Sequence, residues 1–396
     1  MTRREAMLAC SAAAIGSARG GSRGPVRMVS VPEGGLQPQA AVDERGVLHL
    51  IYFAGDARHG DVFYTRSENG GAAFSSPLRI NSQTGSAIAI GTIRGAQLAV
   101  GRGGRVHVAW NGSAEAAPPG PVNPDSGKPG APMLYSRLND VGTAFEPQRN
   151  LMIHSFGLDG GGSVAADSEG GVYVAWHGIG AAEAGGKAAG EVRRAVWLAQ
   201  SEDDGRRFSA EHKAWPAPTG ACGCCGLKAF ADRQGNVWVL YRSATESVHR
   251  DIYLLGSHDR GRTFQGKLLG RWDINACPMS SMDIAANGRE TVGAWENGGQ
   301  VYWTHFGRDA ASARKPIAAP GEGKGRKHPR IAINGRGEVL LVWTEGTGWQ
   351  KGGSLAWQIF DGAERPAGEP NELPGIVAWS FAAAVALPGG DFAIVR

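Results

Sequence analysis

The chain has 396 residues, 42% of them hydrophobic, and carries 61 glycines and 21 prolines. That much glycine and proline argues against a helical protein and suits short strands joined by tight turns. The formal net charge is +4, with basic and acidic residues interspersed and only a short basic run at 324–330. Composition therefore gives no support to a nucleic-acid partner or to membrane-surface binding, and no run of about 18 apolar residues is present to span a bilayer.

At the start of the chain, Arg3 and Arg4 precede a short apolar stretch, 6–15, which is followed by the small residues Gly16 and Ala18. This pattern predicts an export signal over residues 1–20, of the twin-arginine or the ordinary secretory kind, and hence a periplasmic or secreted protein. Cys10 would leave with the signal, and the stretch before it is too short for a lipid anchor. Residues 26–396 are expected to form one domain, acting as a monomer.

Beyond the signal one pattern recurs: an apolar strand, a glycine turn, then an apolar strand ending in an aromatic residue. It runs from 39 through Gly46 to Tyr52, from 97 through Gly104 to Trp110, and from 163 through Gly170 to Trp176. It returns from 228 to Tyr241, from 282 to Trp295 and from 330 to Trp343, and a seventh copy, 381–395, closes the chain. Each copy reads as a hairpin with alternating character, as in 106–110 and 172–176. Third strands such as 62–66 and 252–256 follow, and most units add a fourth. Four strands per unit of about 40–60 residues is the spacing of propeller blades. Trp110, Trp176, Trp295 and Trp343 are expected to pack between blades.

A second motif lies between the third and fourth strands. Ser201-Glu-Asp203-Asp-Gly205-Arg-Arg-Phe208 and Ser257-His-Asp259-Arg-Gly261-Arg-Thr-Phe264 share one skeleton. Ser67-Glu-Asn69-Gly-Gly71-Ala-Ala-Phe74 repeats it with Asn for Asp, and Asp140-Val-Gly142-Thr-Ala-Phe145 keeps all but the serine. The side-chain oxygen can accept nearby backbone N–H groups, the glycine supplies the unusual dihedral, and the aromatic fills the space between sheets. These turns resemble the Asp box of bacterial neuraminidase repeats, and the resemblance covers roughly residues 36–370. It implies an all-β, sialidase-superfamily propeller of four-stranded antiparallel blades. The family usually has six blades, whereas seven inner hairpins are counted here, so the ring has six or seven. The last hairpin lacks a clear third strand, and residues 26–31 would supply its outer strand.

In such a ring the first-to-second and third-to-fourth turns share one side. The second-to-third loops and the links between blades share the other, where the long insertions 111–132, 177–193, 242–250 and 345–353 fall. Function is expected on that side. The most specific chemical signal there is Cys222-Gly-Cys224-Cys225, just before the inner strand of the fourth blade. Cys277-Pro-Met279-Ser-Ser-Met282 occupies the matching place in the fifth. Equivalent positions of neighbouring blades lie side by side, so the four cysteines should converge at the channel mouth. Met279 lies nearby, and His154 and His328 occupy comparable positions in the third and sixth blades. Disulfides, a copper or zinc site, and a redox thiol all fit this composition.

The resemblance further implies an exo-sialidase-like glycoside hydrolase, with arginines gripping a sugar carboxylate and an Asp, a Tyr and a Glu performing the chemistry. Arg94, Arg242 and Arg330 are the candidates for the grip, and Asp56, Glu246 and Glu345 are carboxylates on the same side. The family's Arg-Ile-Pro signature is replaced by Leu-Gln-Pro-Gln-Ala at 36–40, and no tyrosine stands at 379–384. Three functions therefore stay open: a propeller acting on or binding carboxylate-bearing glycans, a metal- or redox-linked propeller built on the cysteines, and a non-catalytic protein-interaction platform.

Overall fold

The computed structural model describes residues 26–396 except 186–189, 247, 308 and 323–324. The predicted export signal, with Cys10, lies outside the described residues.

Seven sheets radiate from a central channel. The first is formed by Leu36–Val42, Leu48–Asp56, His59–Ser67 and Leu78–Arg79, paired antiparallel in that order. The next five repeat this order, with inner strands Gln97–Val100, Ser163–Ala166, Lys228–Ala231, Met282–Ala286 and Arg326–Ile333. The third blade carries one extra short strand, Ser155–Phe156. The seventh blade departs from the expected four-stranded antiparallel form. Its inner hairpin is Ala383–Ala386 with Phe392–Val395, and its outer strand is Val26–Val29, running parallel to the latter. The ring thus has seven blades and is fastened between the two ends of the described chain. Closure leaves no inner edge for stray pairing.

The inner hairpins turn by shared chemistry. Asp43, Asp167, Asp232 and Asn334 each accept, on one side-chain oxygen, the backbone N–H groups two and four residues on, at 2.7–3.0 Å. The glycine that follows has positive φ, as at Gly46 (82°) and Gly170 (95°), where an L side chain is strained. Small residues (Ala41, Ala99, Ala166, Ala286, Ala332) face the axis and leave a channel cavity of about 290 Å³. Lys228 and Asp283 pair across its wall at 3.2 Å.

Between blades the apolar faces interlock. Trp110, Trp176, Trp295 and Trp343 are each at most 1% exposed. Each sits in a cluster that mixes residues of adjacent blades, such as Trp343 with Val292, Trp303 and Phe360. The third-to-fourth turns are stitched identically three times. Ser201 Oγ donates to Asp203 Oδ1 (2.9 Å) and accepts Gly205 N–H (3.0 Å), while Asp203 Oδ1 accepts Arg207 N–H (2.8 Å). The turns at Ser67/Asn69 and Ser257/Asp259 reproduce these bonds. The fourth copy differs from the sequence reading: Asn139, not Asp140, accepts the N–H four residues on (Thr143, 2.9 Å). Asp140 instead pairs with Arg105, Arg137 and Arg206.

Burial pushes the Asp203 and Asp259 carboxyls upward. Bonds from the Arg207 guanidinium and backbone, and from Thr263, outweigh it and leave both at about 2. A depressed carboxyl contributes stability that is complete above its unfolded value of about 4 and is lost as pH falls through its folded value. Replacing both aspartates with asparagine, the residue already present at Asn69, is expected to flatten the acid limb of the unfolding curve between about pH 4 and pH 2. Circular dichroism against pH at fixed temperature reads this directly. Wild-type slope in the double variant would refute the assignment.

Candidate functional site

The side opposite these turns carries the inter-blade links, and the links converge on the channel mouth. Residues 89–94, between blades one and two, lie across it. Gln37 Nε2 donates to Ala89 O, Gly91 O and Trp379 O, each at 2.8 Å, and Thr92 Oγ1 meets His328 Nε2 of the sixth blade at 2.7 Å. Arg94 reaches the third blade, where Asp159 Oδ1 accepts at 2.5 Å. The link therefore touches blades on both flanks of the ring and caps its axis. Four non-glycine residues around this rim hold left-handed backbones: Gln37 (φ 52°), Met279 (50°), His328 (51°) and Trp379 (60°). Each costs on the order of 1 kcal/mol and persists only where the surroundings over-determine it. Repetition of the same kink in blades one, five, six and seven marks a purposeful rim.

The cysteines sit at this rim, between the third, fourth and fifth blades. The loop 222–226 leads into the inner strand of blade four and is pinned to the end of its second strand: Cys222 N donates to Arg242 O (2.9 Å), Cys225 N to Cys222 O (3.2 Å) and Gly226 N to Ser280 O (3.0 Å). That tight turn points three sulfurs inward. Cys222 Sγ lies 3.3 Å from Cys224 Sγ and 3.5 Å from Cys225 Sγ, and all three residues are buried. Met279 packs against the group. Cys277 is exposed, and its sulfur, Cys224 Sγ and a Glu191 carboxylate oxygen lie within 4.8 Å of one another. All four sulfurs are thus drawn together, through Cys224, and stand as free thiols.

Burial pushes the Cys225 thiol up. Donation from Cys222 and Cys224, and the Arg242 guanidinium, more than reverse that and hold it well below the ordinary thiol range. The proton-bearing partners move the other way: Cys222 and Cys224 are raised, because their hydrogens are engaged with neighbouring sulfur. Positive charge surrounds the trio. Arg242, fully buried, forms a 3.1 Å pair with Glu296, donates to Arg250 O at 2.8 Å and stacks 4.9 Å from the Trp272 ring. Arg250 is held by Glu191 at 2.5 Å, and the Arg194 guanidinium lies against Gly223.

The structure places the other candidates apart from this cluster or in service to it. Both ring nitrogens of His328 are engaged, by Thr92 and by Ser281 (3.3 Å), and burial lowers its pKa to about 3. His154 is exposed on the outer part of the third blade. His177, which the sequence reading passed over, is fully buried with neither nitrogen hydrogen-bonded, and lies near enough to Cys225 to feel its charge. Burial lowers its pKa to about 4, so it is a neutral imidazole with a free lone pair. Its signal was the strand 172–180 running four residues past Trp176 toward the rim.

Arg330 is buried in the channel wall, with its guanidinium 4.3 Å from the Phe381 ring. With Arg242 held by Glu296 and Arg94 by Asp159, each guanidinium of the trio has an internal contact. Asp56 stands at an exposed hairpin tip, Glu246 is exposed beside His249, and Glu345 accepts from Arg326 (2.9 Å) and from Trp343 Nε1 (2.7 Å). Trp349, 52% exposed, stands edge-on to Trp379 at 5.8 Å, over Gly91 and beside Arg94. Among the described residues no helix is long and apolar enough to cross a membrane.

No family model matches the sequence, and no curated protein matches it. Solved structures do match. An α-L-arabinanase of Penicillium chrysogenum, complexed with arabinobiose, is 13% identical with a TM-score of 0.51, over 85% of this chain and 95% of that one. A protein of unknown function from Dyadobacter fermentans is 12% identical with a TM-score of 0.50, over 89% and 98%. The Hadza microbial sialidase Hz136 is 13% identical with a TM-score of 0.49, over 83% and 69%. At such identities the likeness is one of architecture, and fold does not confer chemistry. The chain has a β-propeller fold, here of seven blades.

Proposed function

We propose that this chain is an exported propeller whose channel mouth holds one thiophilic d10 metal ion, Cu(I) foremost and Zn(II) as the alternative, on Cys222, Cys224 and Cys225. The observation that carries this is the convergence of three buried sulfurs at 3.3 and 3.5 Å. A metal–sulfur bond of about 2.3 Å sets ligand sulfurs about 3.8–4.0 Å apart, so a small outward movement of the thiols admits an ion. Pairing Cys222 with Cys225 and Cys224 with Cys277 would use all four sulfurs as disulfides, whereas one ion on the inner three leaves Cys277 a free thiol, so thiol counting separates the two states. Three soft donors, a thioether at hand in Met279 and no fourth thiolate in the inner set favour trigonal Cu(I). Zn(II) would need a fourth donor beyond these three cysteines. Arg242, Arg250 and Arg194 offset the negative charge of a trithiolate complex.

Elemental analysis of native protein, with thiol counting under denaturation before and after reduction, tests this. About one copper or zinc per chain is expected, with reduction releasing no further thiols, and Cys225→Ser should lose the metal. Protein that binds neither ion after anaerobic loading would sink the reading.

A second reading, glycan binding, is favoured by the Trp349–Trp379 ledge, since exposed tryptophan faces stack on sugars. Of the three candidate arginines Arg94 is the one that is not fully buried, so a sugar carboxylate would compete with Asp159 for it. Turnover of a fluorogenic sialoside, or a glycan-array signal lost in Trp349→Ala, would support this reading. Silence in both would end it.

A further inference from the structure

Cys224 belongs to two ligand sets at once. The inner set is Cys222, Cys224 and Cys225, all buried. The outer set is Glu191, Cys224 and Cys277, half-buried, buried and exposed in that order. The sets differ in chemistry as well as depth. The inner one is all sulfur, whereas the outer one adds a carboxylate, a poorer donor for a soft ion. They are also carried differently. Cys277 stands on the link between blades four and five, Glu191 on the insertion between strands of blade three, and the inner trio on a turn tied down by the Arg242 and Ser280 backbones. An ion bound at the inner set is shielded from water, so it needs a first contact that solvent can reach.

We propose that Glu191, Cys224 and Cys277 form an outer docking position through which Cu(I) passes to and from the buried trio. This rests on the metal-binding reading above. The ion is first held by Cys277 and Cys224, whose thiols release their protons to water as they bind, with Glu191 as a weak third donor. Cys224 keeps its bond while Cys222 and Cys225 bind, each releasing its proton to water if it still carries one. The Cys277–copper bond then breaks, and the Cys277 sulfur takes a proton from water. No electron changes hands. Because one bond persists throughout, each exchange is intramolecular and the ion is never free, which raises the transfer rate through effective concentration.

The experiment is anaerobic stopped-flow loading of the metal-free full chain from a cuprous chelate, followed by removal with excess chelator. Cys277→Ser is expected to reach the same final copper-to-protein ratio but to load and unload about tenfold more slowly. Glu191→Gln should fall between it and the wild type. Cys277 is exposed, so its replacement does not threaten folding, and an unchanged melting temperature confirms this. Wild-type rates in Cys277→Ser would overturn the docking position while leaving the buried site standing, as would a native Cys224–Cys277 disulfide. A wild-type chain that takes up no copper would remove the metal reading itself, and the docking position with it.

Discussion

Deleting residues 26–31 is expected to lower the stability of the propeller by several kcal/mol and to make it aggregate. Val29 and Val31 are each 6% exposed and sit in the cluster that joins the seventh blade to the first, with Leu48, Tyr52 and Val385. Exposing two such side chains costs about 3–6 kcal/mol. The deletion also strips the ladder from Phe392–Val395 and the bonds Val31 N to Arg396 O and Arg396 N to Val29 O, both 2.9 Å. What remains is a two-stranded hairpin with an open apolar edge, a template for association with other chains. Urea unfolding of the deletion against the chain from residue 26 measures the loss, and a peptide spanning the deleted segment should restore part of it. A midpoint within error of the intact chain would show that the seventh blade stands without its outer strand.

Arg242→Met is expected to cost about 3–5 kcal/mol, because it leaves Glu296 without its partner in a buried setting. Arg242 and Glu296 are 0% and 1% exposed on their side chains, and burial already pushes the Glu296 carboxyl upward against the pull of Arg242. Removing both charges in Arg242→Met/Glu296→Leu should recover most of the loss, since two apolar groups leave nothing unpaired. On the metal-binding proposal the double variant also separates stability from that function. It should fold close to normally, and any metal bound at the cysteines should be held less tightly, because a cation beside Cys225 has gone. Additive losses in the double variant would mean the two residues act independently.

The seven inner hairpins were legible, though the ring was read as having six or seven blades, because each hairpin carries its own local chemistry, an Asx or glycine turn between two apolar strands, and such signals survive in any tertiary setting. The convergence of the cysteines was legible for the same reason: equivalent places in adjacent repeats must be neighbours. What eluded the sequence has no repeat register. The link 89–94 crosses the axis through Gln37 and His328, contacts that no periodicity encodes. Glu191 joins Cys224 and Cys277 from an insertion whose path is set by packing alone. His328 stood as a possible metal ligand until Thr92 and Ser281 were seen to occupy its ring nitrogens, and His177 was read only as the start of the insertion 177–193, whereas it lies inside the strand Val172–Gly180 with neither ring nitrogen hydrogen-bonded. Asn139 and Asp140 exchanged roles because Arg105, Arg137 and Arg206 were available to claim the carboxylate.

The pairing of Val26 with Phe392 joins positions 366 residues apart. Loop closure over that span carries an entropic cost of about 5 kcal/mol, met only when the final sheet assembles. A growing polypeptide can complete six sheets in the order they are made, but the clasp must wait until Phe392–Val395 has emerged. Until then both flanks of the gap stay bare, so the interval between completion of the sixth sheet and arrival of that strand is the period in which this fold is most open to stray pairing.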